Sequence, residues 1–162
     1  AFTFATAAGD GSVATANGLF GIATQLGPNG AAVTKGSGGQ FGNFGLNIAL
    51  NVTPLNSAAN GSTVTAGGTG GAGGNIALNL FGRATAANSV KVTSHGFFFN
   101  IATNVGGRDN IIESGDAANS SIINLATNLF GSNTTVSAQG GIWNWATNVL
   151  GNNNTVVTVA AW

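Results

Sequence analysis

Residues Phe97–Ser114, FFFNIATNVGGRDNIIES, are the clearest copy of a unit that recurs along the whole chain. The unit begins with an alternating segment, residues 100–105, and a Gly/Asn turn separates that segment from the β-branched pair Ile111–Ile112. The same arrangement recurs as NLATNLFGSNTTVSA in Asn124–Ala138 and as NWATNVLGNNNTVVTV in Asn144–Val159. An internal repeat of this length predicts a repeat architecture, in which each unit buries apolar surface against its neighbours.

Looser copies extend the repeat toward the start of the chain, and their spacing distinguishes strands from helices. Aligned on the central alanine, neighbouring units lie between 18 and 28 residues apart, at Ala5, Ala23, Ala49, Ala77, Ala102, Ala126 and Ala146. A helical repeat would lose its phase under this variation, whereas stacked strands accommodate extra residues in the loops at their corners. We therefore predict an all-β chain that forms a β-solenoid of about seven stacked strand–turn–strand repeats.

The repeat covers almost the entire length, so we expect a single β-solenoid repeat domain over residues 1–162. Its predicted repeat cores lie near residues 3–15, 20–34, 46–66, 75–92, 97–114, 122–138 and 142–159. Gly and Asn dominate the segments between the strands, and both residues tolerate the positive φ angles of tight turns. Glycine interrupts every candidate helical window, which argues against helices.

Each first strand alternates with a period of two, and one of its faces repeats Asn, Ala and Asn. In stacked copies, equivalent residues lie about 4.8 Å apart. Each side-chain amide can then donate to the copy on one side and accept from the copy on the other. We predict two Asn ladders, one formed by Asn47, Asn75, Asn100, Asn124 and Asn144, and the other by Asn51, Asn79, Asn104, Asn128 and Asn148.

The opposite face of the first strand is aliphatic, as in Ile48, Leu50 and Val52. We expect this face to be buried, with the valine column of the second strand as its partner. The Asn–Ala–Asn face is also flanked by apolar residues, such as Ile122 and Ile142, so both faces need cover. Within one monomer the second strand can cover only one face of the first strand. The pattern therefore indicates that the surface of a partner covers the other face. The sequence leaves open which face points inward.

Charged residues form only 5% of the chain and the formal net charge is zero, whereas roughly a quarter of an ordinary soluble domain is charged. So little charge gives weak repulsion between copies and favours association. The chain has no Cys, Met or Tyr, which excludes disulfides and thiolate metal sites. We interpret it as the mature form of a secreted protein, extracellular or on the cell surface, whose signal has been removed. The chain contains no apolar stretch of about 18 residues, so we predict no helix that spans a membrane.

The terminal segments are strand-like and apolar, and they lack the Lys, Glu or Pro residues that shield edge strands. Open, matching ends suit head-to-tail polymerisation, in which the chain is its own partner. We predict an assembly interface formed by Phe2, Phe4, Val156, Val157, Val159 and Trp162. The leading hypothesis is a structural subunit that self-assembles into an extracellular filament or surface layer through strand stacking and Asn ladders.

The recurring Asn-x-Ala pairs resemble the curlin repeat of bacterial extracellular fibre subunits, at Asn47/Ala49, Asn75/Ala77, Asn100/Ala102, Asn124/Ala126 and Asn144/Ala146. The resemblance implies strand–turn–strand units that stack into a β-solenoid and polymerise outside the cell, as a functional amyloid does. The sequence departs from the curlin pattern because Asn replaces the curlin glutamine two residues after the alanine, and because its corner lengths vary more.

No arrangement of ionisable residues indicates catalysis. Asp109, Glu113 and Asp116 lie close together beside Arg108, where a local ion pair or a solvated turn explains them better than a calcium site. His95 belongs to no recognisable Ser-His-Asp set. With four basic residues, nucleic-acid binding has no electrostatic basis. We expect no enzymatic activity, no cofactor and no metal.

A binding solenoid is the alternative function, either one that binds ice or an adhesin that binds a surface glycan. For ice, the chain offers a threonine column that Leu50 and Leu78 interrupt: Thr6, Thr24, Thr103, Thr127 and Thr147. For a glycan, it offers aromatic side chains on which sugars stack: Trp143, Trp145, Trp162 and Phe97–Phe99. Aromatic residues that alternate within a strand usually fill a core or an interface instead, and we favour that role for them. The third and least favoured hypothesis for the function is an enzyme with a β-helix fold that cleaves glycans.

Overall fold

The computed structural model of the chain describes residues 2–35, 46–52, 63–67, 74–80, 91–94, 98–106, 111–115, 121–130, 133–153 and 155–158. The regular elements in these ranges are β-strands. In chain order they are β1 Phe2–Ala8, β2 Val13–Thr15, β3 Phe20–Leu26, β4 Ala31–Thr34, β5 Leu46–Val52, β6 Thr63–Ala66, β7 Asn75–Leu80, β8 Lys91–Ser94, β9 Phe98–Val105, β10 Ile111–Ser114, β11 Ser121–Leu129, β12 Thr135–Ala138, β13 Gly141–Val149 and β14 Thr155–Thr158.

The strands form two parallel sheets of seven strands each. The first sheet contains the odd-numbered strands in the order β1 to β13, and the second sheet contains the even-numbered strands in the order β2 to β14. Each odd strand and the even strand that follows it form one coil, and successive coils stack on one another. This arrangement confirms the predicted β-solenoid. The described ranges contain no helix, and so none that is long and apolar enough to cross a membrane.

The first sheet keeps one register through all seven coils, although the coils differ in length. Ala5 pairs with Ala23, and Ala23 pairs with Ala49. The alanine column continues in the same register through the remaining coils to Ala146. Residues added between coils therefore do not displace the strands, as the variable spacing of the repeat predicts.

The Asn–Ala–Asn face of the first sheet points into the solenoid and the aliphatic face points out. Ala49 and Ala77 are completely buried, whereas Ile48 and Leu50 are only half-buried. The expectation that the aliphatic face is buried against the valine column is therefore wrong. Alanine and asparagine are small, so the two sheets can approach closely, and paired amides can be buried without leaving unsatisfied polar groups.

The second sheet supplies the larger apolar side chains of the core. Val64, Ile112 and Val136 are completely buried, and they alternate with outward residues along their strands. The core is therefore asymmetric: amides and alanines line one wall, and β-branched aliphatics with alanines line the other. Its buried hydrophobic residues are Ala23, Ala32, Ala49, Val64, Ala66, Ala77, Ala102, Ile112, Ala126, Val136, Ala138 and Ala146.

Three large residues at the start of the first-sheet strands have a left-handed backbone conformation. Phe99, Ile123 and Trp143 have φ angles of 47°, 54° and 62°, and each directly precedes an inward Asn. Regular pairing is interrupted at these residues, because the register of β9, β11 and β13 passes over them. A left-handed conformation costs an L-residue about 1–2 kcal/mol, so the three positions store backbone strain.

The same conformation recurs at the corner where the first-sheet strand ends. Gly27 and Gly106 have φ angles of 104° and 73° there, and glycine adopts such angles readily. In the last two coils the equivalent corner residues are Phe130 and Leu150, with φ angles of 62° and 53°. The ring of Phe130 extends back over Gly106, where a β-carbon would lie 3.3 Å from the ring. The glycine thus makes room for the aromatic side chain of the next coil.

Candidate assembly interface

The first Asn ladder runs through the interior of five consecutive coils. Each Nδ2 donates to the Oδ1 of the preceding rung, over 3.0 Å from Asn75 to Asn47 and 3.1 Å from Asn100 to Asn75. The next bonds measure 2.9 Å from Asn124 to Asn100 and 2.8 Å from Asn144 to Asn124. All five side chains are buried, so the bonds replace water as their partners.

The second Asn ladder runs parallel to the first and has the same direction. Its bonds measure 2.7 Å from Asn79 to Asn51, 2.8 Å from Asn104 to Asn79, and 2.7 Å from Asn128 to Asn104 and from Asn148 to Asn128. These residues are also buried. The structure therefore confirms both predicted ladders, and within each ladder every rung-to-rung bond is donated toward the first coil.

The first ladder does not extend into the second coil, because its position there is Gly21. A β-carbon on Gly21 would lie 2.7 Å from Oγ1 of Thr34, which comes from the opposite sheet and occupies the vacant space. That hydroxyl accepts a hydrogen bond from the backbone N–H of Asn17 at 2.9 Å and donates to the carbonyl oxygen of Asn17 at 3.0 Å. The repeat pattern gave no sign of this substitution.

The second ladder ends at Gln25, whose longer side chain turns toward the corner. Its Nε2 donates to the carbonyl oxygen of Gly27 at 3.0 Å, and its Oε1 is buried without a hydrogen-bond partner. Asn51 in turn donates to the carbonyl oxygen of Ala31 at 3.4 Å. The N-terminal end of the polar core is therefore chemically different from its C-terminal end.

The outward side of the first sheet, here called the apolar face, presents three parallel columns. The first column contains Phe4, Ile22, Ile48, Ile76, Ile101, Leu125 and Trp145. The middle column contains Thr6, Thr24, Leu50, Leu78, Thr103, Thr127 and Thr147, and the third contains Ala8, Leu26, Val52, Leu80, Val105, Leu129 and Val149. None of these residues is charged. The threonine column of the sequence thus lies on this face, with Leu50 and Leu78 in its centre.

The outward side of the second sheet, here called the hydroxyl face, is more polar. Its strands present the threonines Thr15, Thr63, Thr65, Thr135 and Thr155 together with the exposed apolar residues Val13, Ile111 and Val157, while Thr93 and Ser137 on the same side are buried. Lys91 and Glu113 form an ion pair across neighbouring coils of this face, with 2.6 Å between Nζ and Oε1. Glu113 therefore has a structural partner. Its sequence neighbours Arg108, Asp109 and Asp116 lie outside the described residues, as does His95.

The solenoid has an open edge at each end in the part of the chain that the structure describes. No described strand pairs with the outer edge of β1 or β2, nor with that of β13 or β14. Phe2, Phe4 and Val157 are exposed and Val156 is half-buried, whereas Val159 and Trp162 lie outside the described residues. The structure thus places four of the six predicted interface residues at the two ends.

Hydrogen bonding identifies which backbone groups of β1 face its open edge. The N–H of Phe2 donates to the carbonyl oxygen of Leu19 at 2.6 Å, toward the second coil. In a parallel strand, the N–H and C=O groups of alternate residues point to opposite sides. The N–H and C=O groups of Thr3, Ala5 and Ala7 therefore point away from the stack.

Exposed aromatic residues stand at both ends of the apolar face. Phe4 is 52% exposed at the start of the first column and Trp145 is 70% exposed at its end. Trp143, one of the strained residues, is exposed beside Trp145. Aromatic side chains that alternate within a strand usually fill a core or an interface, and the sequence favours that role over a sugar-binding platform for Trp143 and Trp145. The structure places both residues on the edge strand β13.

A scan against protein-family models found no match to this chain, and neither did searches of the curated proteins and of the solved structures. Among the described residues, no group of three His, Cys, Asp or Glu side chains is arranged to hold a metal ion. The functional argument therefore starts from the ladders, the two faces and the open edges.

Proposed function

We propose that this protein is a structural subunit that self-assembles end to end into an extracellular filament or surface layer. The observation that carries the proposal is the single register that runs from β1 to β13 between two open edges. Unpaired strand edges bind other strands readily, and natural proteins usually shield them with charge, proline or a covering segment. The described strands at the two ends carry no charged residue and no proline.

Continuing the register across two copies brings compatible residues together. The inward residues Ala146 and Ala5 would extend the alanine column without a steric conflict. Thr3 would follow Asn144 in the first ladder, where a hydroxyl can donate to an amide oxygen. The docked ends would thus continue both the backbone ladder and part of the polar core.

The outward residues at the junction also fit. Phe4 would follow Trp145 in the first column, about 4.8 Å away along the stack. Offset aromatic pairs are favourable at centroid separations of 4.5–7 Å and contribute about 0.5–1.5 kcal/mol beyond the area that they bury. Both rings are exposed in the single chain, so an end-to-end contact would remove them from water.

The extracellular site of assembly is part of the proposal and rests on composition. A chain with 5% charged residues and neither Cys nor Met suits an oxidising environment in which copies are meant to associate. The resemblance to curlin subunits supports the same conclusion, because the two share strand–turn–strand units and side-chain amide ladders.

Proline at position 5 tests the end-to-end contact. The N–H of Ala5 points away from the stack, so Ala5→Pro removes a donor that only a second copy would use, and edge strands tolerate proline at such positions. Ala5→Val is the matched control, because it adds similar bulk and keeps the N–H. We expect the wild type and Ala5→Val to form filaments under the electron microscope at rising concentration, and Ala5→Pro to form none while keeping its β circular dichroism. Equal filament formation by all three would refute the proposal.

Ice binding is the second candidate, and the consecutive threonines Thr103, Thr127 and Thr147 on the apolar face favour it. A flat parallel sheet spaces their hydroxyls regularly, at about 4.8 Å. Thermal hysteresis of the wild type, lost in Thr127→Val and kept in Thr135→Val on the hydroxyl face, would support ice binding. Absence of hysteresis at a concentration where the protein remains dispersed would exclude it.

A further inference from the structure

The middle column of the apolar face changes in depth along the solenoid. Leu50 and Leu78 form a ridge in the third and fourth coils. In the fifth and sixth coils the same column contains Thr103 and Thr127, whose shorter side chains form a hollow. The two-coil ridge is adjacent to the hollow on the same straight column, and Thr147 continues the threonine run into the seventh coil. A surface with these properties is complementary to itself.

Strained residues border the hollow on both sides. Phe99 and Ile123 lie near the start of the two strands that form it, β9 and β11, and Phe130 follows the end of β11. All three are exposed although they are large and apolar, and all three have a left-handed backbone conformation. Strain of this kind persists where the surrounding structure holds it in place, and Trp143 and Leu150 carry it into the seventh coil. The ring of Phe99 lies over Gly74 and the ring of Phe130 lies over Gly106, so aromatic side chains stand at the ends of these strands.

We propose that two copies of this chain pair through their apolar faces, with the ridge of each seated in the hollow of the other. A two-fold axis parallel to the strands, between β7 and β9, produces this arrangement. It places Leu78 opposite Thr103 and Leu50 opposite Thr127. Packed layers interdigitate when a large side chain of one layer faces a small side chain of the other, as leucine faces threonine here. The contact is isologous, so it closes with two copies.

The size of the face is sufficient for a stable pair. Six facing strands at about 4.8 Å spacing and seven residues at about 3.3 Å rise give roughly 600–700 Å² of planar surface per copy. Side-chain relief adds to this area, which brings it close to the roughly 800 Å² per partner of a standard interface. An exposed apolar patch of this size exceeds what most monomers present.

The charge distribution selects this face over the opposite one. The three columns of the apolar face contain no charged residue, whereas the hydroxyl face carries threonines and the Lys91–Glu113 ion pair. Pairing through the apolar face leaves the hydroxyl face in water. A second copy therefore covers the surface that the single solenoid leaves uncovered, and it removes no ionic group from solvent.

Face pairing uses a different surface from the end-to-end contact and goes beyond it. The axis between β7 and β9 leaves β1 without a facing strand, and the outer edges of β1 and β13 stay open. The two contacts can therefore be tested separately. Ala5→Pro removes only the end-to-end contact, and substitutions in the ridge remove only the face contact.

Sedimentation in the Ala5→Pro background tests the pair. Leu78→Lys places a charge at the centre of the interface, and Thr65→Lys, half-buried on the hydroxyl face, is the matched control. We expect Ala5→Pro alone and with Thr65→Lys to sediment as dimers, and Leu78→Lys to weaken dimerisation at least tenfold with unchanged circular dichroism. Monomers of all three variants at high concentration, or equal dimerisation of all three, would overturn the face pairing. Neither result would count for or against the end-to-end contact, because that contact is tested by comparing filament formation of Ala5→Pro and Ala5→Val.

Thiol cross-linking tests the geometry of the pair, because the native chain contains no cysteine. Single-cysteine chains Leu50→Cys and Thr127→Cys are mixed and treated with a short bismaleimide. In the proposed pair these positions face each other, whereas the two copies of position 50 are offset by three strand spacings, about 14 Å. We expect mixed cross-links to dominate. Dominant cross-links between two copies of Leu50→Cys would show a different arrangement and overturn the ridge-in-hollow geometry.

Discussion

The side chain of Gln25 occupies the space that a side chain on Gly30 would need. A β-carbon on Gly30 would clash with Nε2 of Gln25 and would lie 2.7 Å from its Cδ and Oε1. Gln25 is completely buried and its Nε2 is held by the carbonyl oxygen of Gly27, so the amide cannot move aside freely. The absence of a side chain at one position thus permits the longer amide at the other.

Gly30→Ala should therefore lower the free energy of unfolding by about 1–3 kcal/mol, the usual cost of overpacking a core. Gln25→Asn removes one methylene and should restore most of this loss in the double variant. A double-mutant cycle measured by urea unfolding checks the coupling. If the changes in unfolding free energy of the two single variants simply add in the double variant, the side chain of Gln25 is not what excludes a side chain at position 30.

Asn104 occupies the centre of the second ladder, where it donates to Asn79 and accepts from Asn128. Asn104→Asp replaces a buried donor by a carboxylate oxygen that faces the Oδ1 of Asn79. We expect it to lower the free energy of unfolding by about 3 kcal/mol or more at neutral pH. The control is Asn133→Asp in the exposed Asn133–Asn153 amide pair, which should change stability by about 0.5 kcal/mol or less.

The Asn104→Asp variant should also have a characteristic pH dependence. Burial raises the pKa of the introduced carboxyl above its unfolded value of about 3.9, and its protonated form can donate again. The destabilisation should be complete above the folded-state pKa and should shrink as the pH falls through it. Urea unfolding at several pH values measures this trend relative to the wild type. A constant difference across the range would contradict burial of the carboxyl.

Thr34 replaces the missing rung at Gly21 and satisfies both backbone groups of Asn17. Thr34→Val keeps the shape of the side chain and removes the hydroxyl, so it should cost about 1–3 kcal/mol of unfolding free energy. Thr24→Val, in the half-exposed middle column of the apolar face, is the matched control and should change stability by about 0.5 kcal/mol or less. Thermal unfolding of both variants checks the difference, and equal melting temperatures would contradict this role of Thr34.

Leu150 combines backbone strain with 72% exposure of its side chain. Leu150→Gly relieves the left-handed conformation and Leu150→Ala keeps it, while both remove the side chain. Strain costs about 1–2 kcal/mol and glycine adds about 0.5–1 kcal/mol of chain entropy in the unfolded state. We expect the glycine variant to be the more stable by about 0.5–1 kcal/mol in urea unfolding. A more stable alanine variant would mean that the corner carries no strain.

The ladders and the register could be predicted from the sequence because every coil repeats them. Asn100 and Asn104 flank a small alanine, and equivalent asparagines flank one at the same spacing in each later copy. Stacked strands explain this spacing, because stacking brings equivalent amides within hydrogen-bonding distance. The loops vary in length without affecting this pattern, since they lie between the strands.

The inward direction of the strand could not be predicted in the same way. A column such as Ile48–Ile76 is expected to face a core, and isolated asparagines are expected to face water. The preference is reversed here because the ladders satisfy the amides collectively, a property of the stack that no single repeat possesses. The replacements Thr34 and Gln25 also escaped prediction, since each fills a space left by a glycine elsewhere in the fold.

The amides of the second ladder all donate in the same direction, so the side-chain dipoles of Asn51, Asn79, Asn104 and Asn128 add along the solenoid axis. A single stack of subunits would therefore be electrically polar and would align in an applied field. The two-fold axis between paired copies reverses one stack relative to the other, so the paired form should have almost no permanent moment along the solenoid axis. Transient electric birefringence distinguishes the two forms in solution.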